Sequence, residues 1–210
     1  MKQLTAIVAA NEDGVIGAQN ALPWRVRSDM RFFRQQTIGN VVIMGRKTHD
    51  SLGGCLPKRL NVVVTHGFKM FPEGEGCLSA GSIVEALARA EAKRARKQEV
   101  FIIGGASMYA QFAPYVDRYL ITEIKKDVPD ADTWFDGSAL GSLADWDRTL
   151  LSEGKADGNG DEADFRILEF RSKNAAQIKQ ARDQKISDFF ARSHRSSTEK
   201  FVFRTAQAVA

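Results

Sequence analysis

The chain alternates short apolar runs with segments that repeat apolar residues every three or four positions. The apolar, largely β-branched runs predict strands that are buried on both faces, at residues 4–10, 41–44, 60–65 and 100–103. The intervening segments predict helices at residues 28–37, 47–52, 82–96 and 107–112. Ser82, followed three residues later by Glu85, is typical of a capping box at the start of a helix. This alternation predicts an α/β fold, with a mainly parallel sheet and helices on both of its faces.

The second half of the chain changes its pattern after Pro114. Four further strands, joined by turns, are predicted at residues 118–124, 133–135, 147–152 and 164–171. We therefore expect the sheet to end in an antiparallel hairpin. Ligands of such sheets bind outside the carboxyl ends of the parallel strands, where the functional site is expected.

Composition and charge divide the chain into a domain and a tail. The 210 residues, 43% of them hydrophobic, predict a domain at residues 1–171 and a basic extension at residues 172–210. The first part carries 22 Lys/Arg and 23 Asp/Glu, whereas the extension carries 8 and 3, so the net positive charge belongs to the extension. Within the extension, residues 175–191 predict an amphipathic helix, and residues 201–203 are interpreted as a short strand. A solvated tail, docking onto the domain or a partner, and contact with nucleic acid all stay open, the last being the least favoured.

The sequence also bears on the cellular location. No apolar run approaches the roughly 18 residues of a membrane span. The first ten residues resemble a signal peptide only faintly and are interpreted as a buried strand. Cys55 and Cys77 form no C-x-x-C pair and predict reduced thiols. A cytoplasmic protein without a membrane anchor is expected.

Asp29 is the most informative single residue. It lies close to Trp24, Met30 and Phe33, where a loop becomes a helix, and helical spacing puts Phe33 on the same face. The residue could simply be an acid that is favoured by the helix dipole. A carboxylate on an apolar face needs a partner, and a ligand with paired N–H donors would supply one.

Two glycine-containing turns predict contacts with phosphate. Gly104-Gly105 follows a buried strand and precedes a helix, as a tight turn or a pyrophosphate site would require. Gly45 is followed by Arg46 and Lys47, whose charges oppose the dipole of the helix that they begin. A bound phosphate would supply the missing counter-charge, and solvated surface cations are the alternative interpretation.

One acidic segment resembles a metal site only superficially. Residues 157–161 match the opening of a calcium loop, but Glu162 replaces the required glycine and Leu168 the closing glutamate. A turn between two strands is the better interpretation, and no metal is expected.

Together these motifs resemble the dihydrofolate reductase family over residues 1–171. The resemblance rests on Ile16-Gly17, Leu22-Pro23-Trp24, an acid five residues after the tryptophan, residues 42–48 (VIMGRKT), Leu56-Pro57-Lys58-Arg59 and Ile102-Ile103-Gly104-Gly105, in the family's order and spacing. It implies a mainly parallel eight-stranded sheet and the reduction of dihydrofolate by hydride transfer from NADPH. It also implies antifolate inhibitors as ligands and a monomeric enzyme.

The resemblance implies roles for individual residues as well. The catalytic group would be Asp29, Trp24, Leu22 and Thr122, with Thr122 bonded to Asp29 and residues 11–24 forming a lid loop. Substrate would contact Ile7, Val8, Ala9, Asp29, Met30, Phe33, Leu52, Arg59, Ile103, Tyr109 and Thr122, with Arg59 binding the carboxylate of the glutamate tail. The cofactor would contact Ala9, Ile16, Gly17, Gly45, Arg46, Lys47, Thr48, Thr65, His66, Ile103, Gly104, Gly105, Ala106, Ser107, Met108 and Tyr109.

Two other functions remain as alternatives. One is the pyrimidine reductase of riboflavin synthesis, which has the same fold but does not need an acid at Asp29. The other is a non-catalytic protein that binds nucleic acid through its basic tail, although the tail lacks interleaved aromatic stacking platforms. The sequence also leaves open whether the enzyme is insensitive to trimethoprim and how strongly it prefers NADPH over NADH.

Overall fold

A twisted, mainly parallel sheet forms the centre of the molecule. The computed structural model describes residues 1–66, 76–158 and 160–207, with side chains as far as residue 193. The strands are β1 (Leu4–Asn11), β2 (Val15–Gly17), β3 (Val41–Gly45), β4 (Leu60–Val64), β5 (Cys77–Ala80), β6 (Val100–Ile102), β7 (Arg118–Lys125), β8 (Thr133–Trp134), β9 (Trp146–Gly154) and β10 (Asp164–Ser172). Eight of them form one sheet in the order β5-β4-β3-β6-β1-β7-β10-β9, and β2 pairs with β8 separately. The predicted α/β class and the closing antiparallel hairpin, β9–β10, are confirmed.

Five α-helices accompany the sheet in the part of the chain that the structure describes. They are α1 (Arg27–Thr37), α2 (Arg46–Ser51), α3 (Ile83–Lys93), α4 (Ala106–Phe112) and α5 (Ala175–Gln207). The cap predicted for α3 is present, since the Ser82 hydroxyl accepts a hydrogen bond from the amide of Glu85 at 3.1 Å. The Glu85 carboxylate accepts from Gly81. Both bonds satisfy amides at a helix start that would otherwise lack acceptors.

The central strands are buried on both faces, which explains their continuous apolar runs. In β1, Leu4, Ala6 and Val8 pack into one hydrophobic cluster, whereas Ile7 packs into another with Val42. Because successive side chains of a strand point to opposite faces, one strand serves both clusters. Helices on each side then shield the sheet from water, and its strand ends remain available for a site.

The first part of the extension docks onto the domain. Helix α5 packs against α3, and its Arg182 and Ile186 are buried. The strand predicted at residues 201–203 is wrong, because α5 continues through these residues to Gln207. No glycine or proline occurs after Gly160 to interrupt the helix. Among the described residues, no helix combines the length and apolarity that a membrane crossing requires.

The prediction of two reduced thiols is also wrong in the structure, which joins Cys55 to Cys77 as a disulfide. Their Cα atoms are 6.2 Å apart, within the usual range of disulfides. They meet because Cys77 begins β5, a strand that the sequence analysis missed, opposite Asn61 in β4. The Asn61 side chain in turn bonds the backbone of Leu56, next to Cys55. The inference of a reducing compartment from these cysteines therefore loses its support.

Candidate active site at the carboxyl ends of the strands

A cavity of about 1460 Å³ lies at the carboxyl ends of β1, β3, β4 and β6. Most of the predicted site residues line it: Ile7, Val8, Ala9, Ile16, Gly17, Leu22, Asp29, Met30, Phe33, Gly45, Arg46, Lys47, Thr48, Leu52, Thr65, His66, Ile103, Gly104, Gly105, Ala106, Ser107, Met108 and Tyr109. The predicted residues Trp24, Thr122 and Arg59 lie outside this lining. Asn20 and Ala21, from the predicted lid segment, line the cavity too, and the lining residues that the sequence analysis missed are Ser51, Val64, Gln111, Asp132 and Thr133.

Asp29 is the buried acid of this cavity. It lies in the first turn of α1 with only 7% of its surface exposed. The hydroxyl of Thr122, from β7, is the hydrogen-bonding group that acts on its pKa. Burial raises the pKa of Asp29, the Thr122 bond opposes this shift, and the carboxylate of Asp161 adds to it. The chain thus keeps at its binding cavity an acid that holds its proton more firmly than a solvated one.

Trp24 lies beside Asp29 rather than in the large cavity. The two side chains share a smaller cavity of about 300 Å³, which Leu22 and Met30 also line. The indole Nε1 of Trp24 is buried and has no hydrogen-bond partner among the described residues. Because a buried N–H without an acceptor is costly, this donor is suited to a water or ligand atom in the smaller cavity.

The walls of the large cavity expose an unusual amount of apolar surface. Leu22, Met30 and Leu52 have 48%, 49% and 43% of their surfaces exposed. Phe33, one turn beyond Asp29 on α1, completes this apolar region. Grouped exposure of large apolar side chains marks a binding surface. A flat ring could be covered by these side chains while its polar edge faces Asp29.

Arg59 lies apart from the cavity lining, at the far end of α1. Its guanidinium donates to the Thr37 hydroxyl at 2.9 Å and lies 6.0 Å from the centre of the Phe33 ring. Burial, followed by the positive charge of Arg34, lowers the pKa of Arg59. Two like charges near each other would be stabilised by an anion between them.

The paired glycines bring backbone close to the other end of the cavity. Gly104 has φ +110°, which favours glycine, and the peptide bond between Gly104 and Gly105 is cis. A Cβ on Gly105 would lie 3.3 Å from the Thr48 hydroxyl. The Gly104 carbonyl accepts from Gly45 at 2.8 Å. The two glycine turns predicted separately from the sequence are therefore bonded to each other.

Positive charge gathers around these turns. Arg46 and Lys47 begin α2, and Thr65 and His66 follow β4. Arg46 also forms an ion pair with Asp50 at 2.6 Å, on an exposed part of α2. Cations, a hydroxyl and closely approaching backbone fit a dinucleotide with several phosphates.

A lid segment closes one side of the cavity and is more ordered than predicted. Residues 11–24 were expected to form a loop, but they contain β2, which pairs with β8. The carboxylate of Asp132 accepts from the amide of Gln19 at 2.8 Å. Hydrogen bonds from the Thr133 hydroxyl and the Gln19 amide lower the pKa of Asp132. Asp132 therefore anchors the lid as a stable carboxylate.

The turn between β9 and β10 anchors the other end of the lid. Glu162 accepts from the amide of Arg25 at 2.8 Å, and its own amide donates to the Arg25 carbonyl at 3.1 Å. Sequence reasoning missed both Asp132 and Glu162, because their partners lie 113 and 137 residues away. No local pattern in the sequence signals such contacts.

Comparisons with known proteins agree with this geometry. The family model described as dihydrofolate reductase matches residues 3–171. Dihydrofolate reductase from Staphylococcus haemolyticus is 34% identical over 155 residues, covering 74% of this chain and 87% of the relative. The Bacillus subtilis enzyme of the same name is 31% identical over 176 residues, covering 83% and 97%. A solved structure, dihydrofolate reductase from Enterococcus faecalis complexed with NADP(H) and RAB-propyl, has a TM-score of 0.70 and 28% identity, covering 82% of this chain and 97% of its own.

The motif order, the fold, the cavity and these relatives all lead to one assignment. The family match ends at residue 171, next to the last residue of β10. The chain belongs to the dihydrofolate reductase family, which confirms the class predicted from its motifs, an NADPH-dependent oxidoreductase.

Proposed function

We propose that the protein reduces 7,8-dihydrofolate to 5,6,7,8-tetrahydrofolate, with NADPH as the hydride donor. The observation that carries the proposal is the buried carboxyl of Asp29 at the edge of an apolar cavity. The pterin ring offers an amino group next to a ring nitrogen, and a carboxylate can bind such paired donors through both oxygens. Within the dihydrofolate reductase family this arrangement favours the pterin over the ribosyl-aminopyrimidine of riboflavin synthesis, and no observation favours that second substrate.

The residues around Asp29 would orient the substrate for reaction. Phe33, Met30 and Leu22 would cover the faces of the pterin, and Ile103 would support it from the end of the sheet. Holding two rings at reacting distance contributes a large part of the rate in a transfer between two bound molecules. At the far end, Arg59 would bind the carboxylate of the glutamate tail.

Protonation is the second task of the site. Nitrogen 5 of the pterin must gain a proton, and a negative charge nearby increases its affinity for that proton. Asp29 would supply this charge after it has bound the ring. The Trp24 indole N–H, which lines the small cavity together with Asp29, would hold a water there.

The cofactor would lie across the glycine turns. Bound NADPH supplies a hydride from carbon 4 of its nicotinamide. Arg46, Lys47 and His66 would bind the phosphates of the adenosine, with the 2′-phosphate as the group that distinguishes NADPH from NADH. Backbone around Gly104 and Gly105 would approach the pyrophosphate at the start of α4.

The experiment is an assay of NADPH oxidation with and without dihydrofolate. We expect oxidation to require dihydrofolate and Asp29→Asn to lower turnover at least about tenfold at neutral pH. The loss should shrink towards acidic pH, where the substrate is already protonated. Asp164→Asn, which removes an exposed charge paired with Lys155, is the matched control. Wild-type rates for Asp29→Asn across the pH range would remove this residue from the reaction, and oxidation of NADPH with a ribosyl-aminopyrimidine alone would replace the proposed substrate.

We infer that antifolates would occupy the same cavity, because they must satisfy the same buried acid. Their affinity would depend on the shapes of Met30, Leu52 and Ile103, which together form a large part of the apolar wall. The inhibition constant of trimethoprim, compared with that of the Staphylococcus haemolyticus relative, decides whether this chain is an insensitive variant. A monomeric state and a cytoplasmic location stay predictions, and size-exclusion chromatography tests the first of them.

A further inference from the structure

The start of α1 is capped by a residue that is distant in sequence. The residue at the N-cap position, Val26, has no side chain that could accept a hydrogen bond. Asp161, in the turn between β9 and β10, accepts instead, from the Ser28 amide at 2.8 Å and from the Ser28 hydroxyl at 2.5 Å. The Gly160 carbonyl accepts from the amide of Arg27 at 3.1 Å. This turn therefore supplies acceptors for the first amides of the helix that carries Asp29.

The turn holds Asp161 firmly in that position. Asp157 accepts from the amides of Gly160 and Asp161, both at 3.1 Å, and donates its own amide to the Asp161 carbonyl. Gly160 packs so closely on Arg27 that a Cβ there would lie 2.3 Å from Cδ of Arg27. The acidic segment that resembled a calcium loop in the sequence is thus shaped to place one carboxylate at the start of α1.

Asp161 also brings a second buried carboxylate to the neighbourhood of Asp29. Only 7% of each residue is exposed, and Ser28, the partner of Asp161, directly precedes Asp29. After burial itself, the negative charge of Asp161 is a further cause that raises the pKa of Asp29. The other polar or charged groups near Asp29 are the Thr122 hydroxyl from β7, the phenol of Tyr109 from α4, and Arg25 and Arg27, which line the small cavity. The Tyr109 phenol stays neutral, because burial raises its pKa further.

We propose that Asp161 is a positioning residue for the reaction: its carboxylate, bonded to Ser28, fixes the start of α1 and keeps a second carboxylate one residue away from Asp29. The proposal rests on the proposed function, since it states how the acid of that site is adjusted. Asp161 touches neither substrate nor cofactor in this scheme and acts through Asp29 alone. Its two contributions, acceptor and charge, can be separated by substitution.

The test variant is Asp161→Asn, which keeps an oxygen for the Ser28 amide and removes the charge. Without the charge of Asp161, Asp29 binds its proton less tightly, and a lower pH is needed to protonate it. We expect the midpoint of the pH profile of hydride transfer to fall by about half a unit to one unit. Rates above the midpoint should then fall about three- to tenfold, whereas the rate at the acidic limit stays unchanged. Asp161→Ser, which offers a capping hydroxyl without charge, should show the same shift even if the asparagine variant folds poorly.

Two controls isolate the charge of Asp161. Ser28→Ala removes the hydroxyl that binds Asp161 but keeps the charge, so its midpoint should not fall. Asp164→Asn removes one charge from the same hairpin at an exposed site paired with Lys155, and its midpoint should stay where it is. An unchanged midpoint in Asp161→Asn and Asp161→Ser, or an equal fall in Asp164→Asn, would overturn the proposal.

A second measurement does not depend on activity. The carboxyl carbon of Asp29, followed by NMR in the ligand-free protein, should titrate at a lower pH in Asp161→Asn than in the wild type. If the wild type does not reduce dihydrofolate, the proposed function is wrong. The titration still shows whether Asp161 raises the pKa of Asp29. If reduction proceeds and the titration does not move, the role of Asp161 fails alone.

Discussion

Two buried carboxyls lie at opposite ends of the same pair of strands and have opposite surroundings. Asp117 precedes β7 and bonds the amide of Leu4, at the start of β1, at 3.2 Å. Asp29 lies towards the other end, where Thr122 of β7 pairs with Ala9 of β1. Only 3% of Asp117 and 7% of Asp29 are exposed. Burial is the largest cause acting on the pKa of both residues, and it raises both.

The partners of the two carboxyls differ. Asp117 faces Arg182 of α5, which is fully buried and donates to it at 2.9 Å and to the Tyr115 carbonyl at 2.7 Å. Asp29 has the neutral hydroxyl of Thr122, a second carboxylate and a cavity. A buried acid with a cation from its own chain supports the fold, whereas one without such a cation is available to a ligand. The same residue type thus serves stability at one end of the sheet and binding at the other.

Breaking the buried ion pair between Asp117 and Arg182 should lower stability most. Asp117→Asn leaves the Arg182 guanidinium buried without its counter-charge, and removing one partner of a buried pair costs about 3–5 kcal/mol. Urea unfolding should show this loss, while turnover per folded molecule stays unchanged. Lys179→Ala, which breaks the exposed pair of Lys179 with Asp183, is the control and should cost under about 1 kcal/mol. A similar small loss for Asp117→Asn would mean that α5 is not held through Arg182.

Removing the extension tests the same comparison in a second way, because it removes Arg182 and exposes Asp117 to solvent. Truncation after Ser172 should then lower the free energy of unfolding mainly through lost apolar burial, by about 1.5–3 kcal/mol for Ile186. Turnover below the melting temperature should be kept, since the cavity residues all precede the cut. Truncation after Arg192 leaves Arg182 and Ile186 in place and should not change the melting temperature. A folded protein that lost turnover after the first cut would show that the site extends into the tail.

The sequence was most informative where the pattern was local. Continuous apolar runs located β1, β3, β4 and β6, because a strand buried on both faces shows its burial in consecutive residues. Strands β2 and β5 were missed, since neither is a continuous run of buried apolar residues. The helix predicted at residues 175–191 lies within α5 and buries Ile186. The spacing of one helix face is sufficient for that inference.

The candidate site was predictable to the extent that its residues lie in motifs. Asp29 and the paired glycines stand in short recognisable segments, and the structure brings them to one cavity. Asp132 and Asp161 reach the lid and α1 from loops more than a hundred residues away. Such contacts depend on the packing of two turns, which no pattern within either turn encodes. Arg182 is a similar case, since a charged side chain in a helix is ordinarily exposed and its partner Asp117 lies 65 residues away.

The last prediction concerns Asp29→Asn, whose effect on stability should be opposite in sign to that of Asp117→Asn. Burial raises the pKa of Asp29 in the folded protein, so the folded state favours the protonated carboxyl. Above that pKa the folded protein must hold a desolvated charge, and each unit of the shift corresponds to about 1.4 kcal/mol. Asp29→Asn should therefore raise the melting temperature of the ligand-free protein at neutral pH, although it impairs turnover. The gain should disappear below the pKa of an unfolded aspartate, where both proteins are neutral at this position. A melting temperature that falls at neutral pH would show that the Asp29 carboxylate has partners that stabilise the fold, and the contrast between the two buried acids would then be lost.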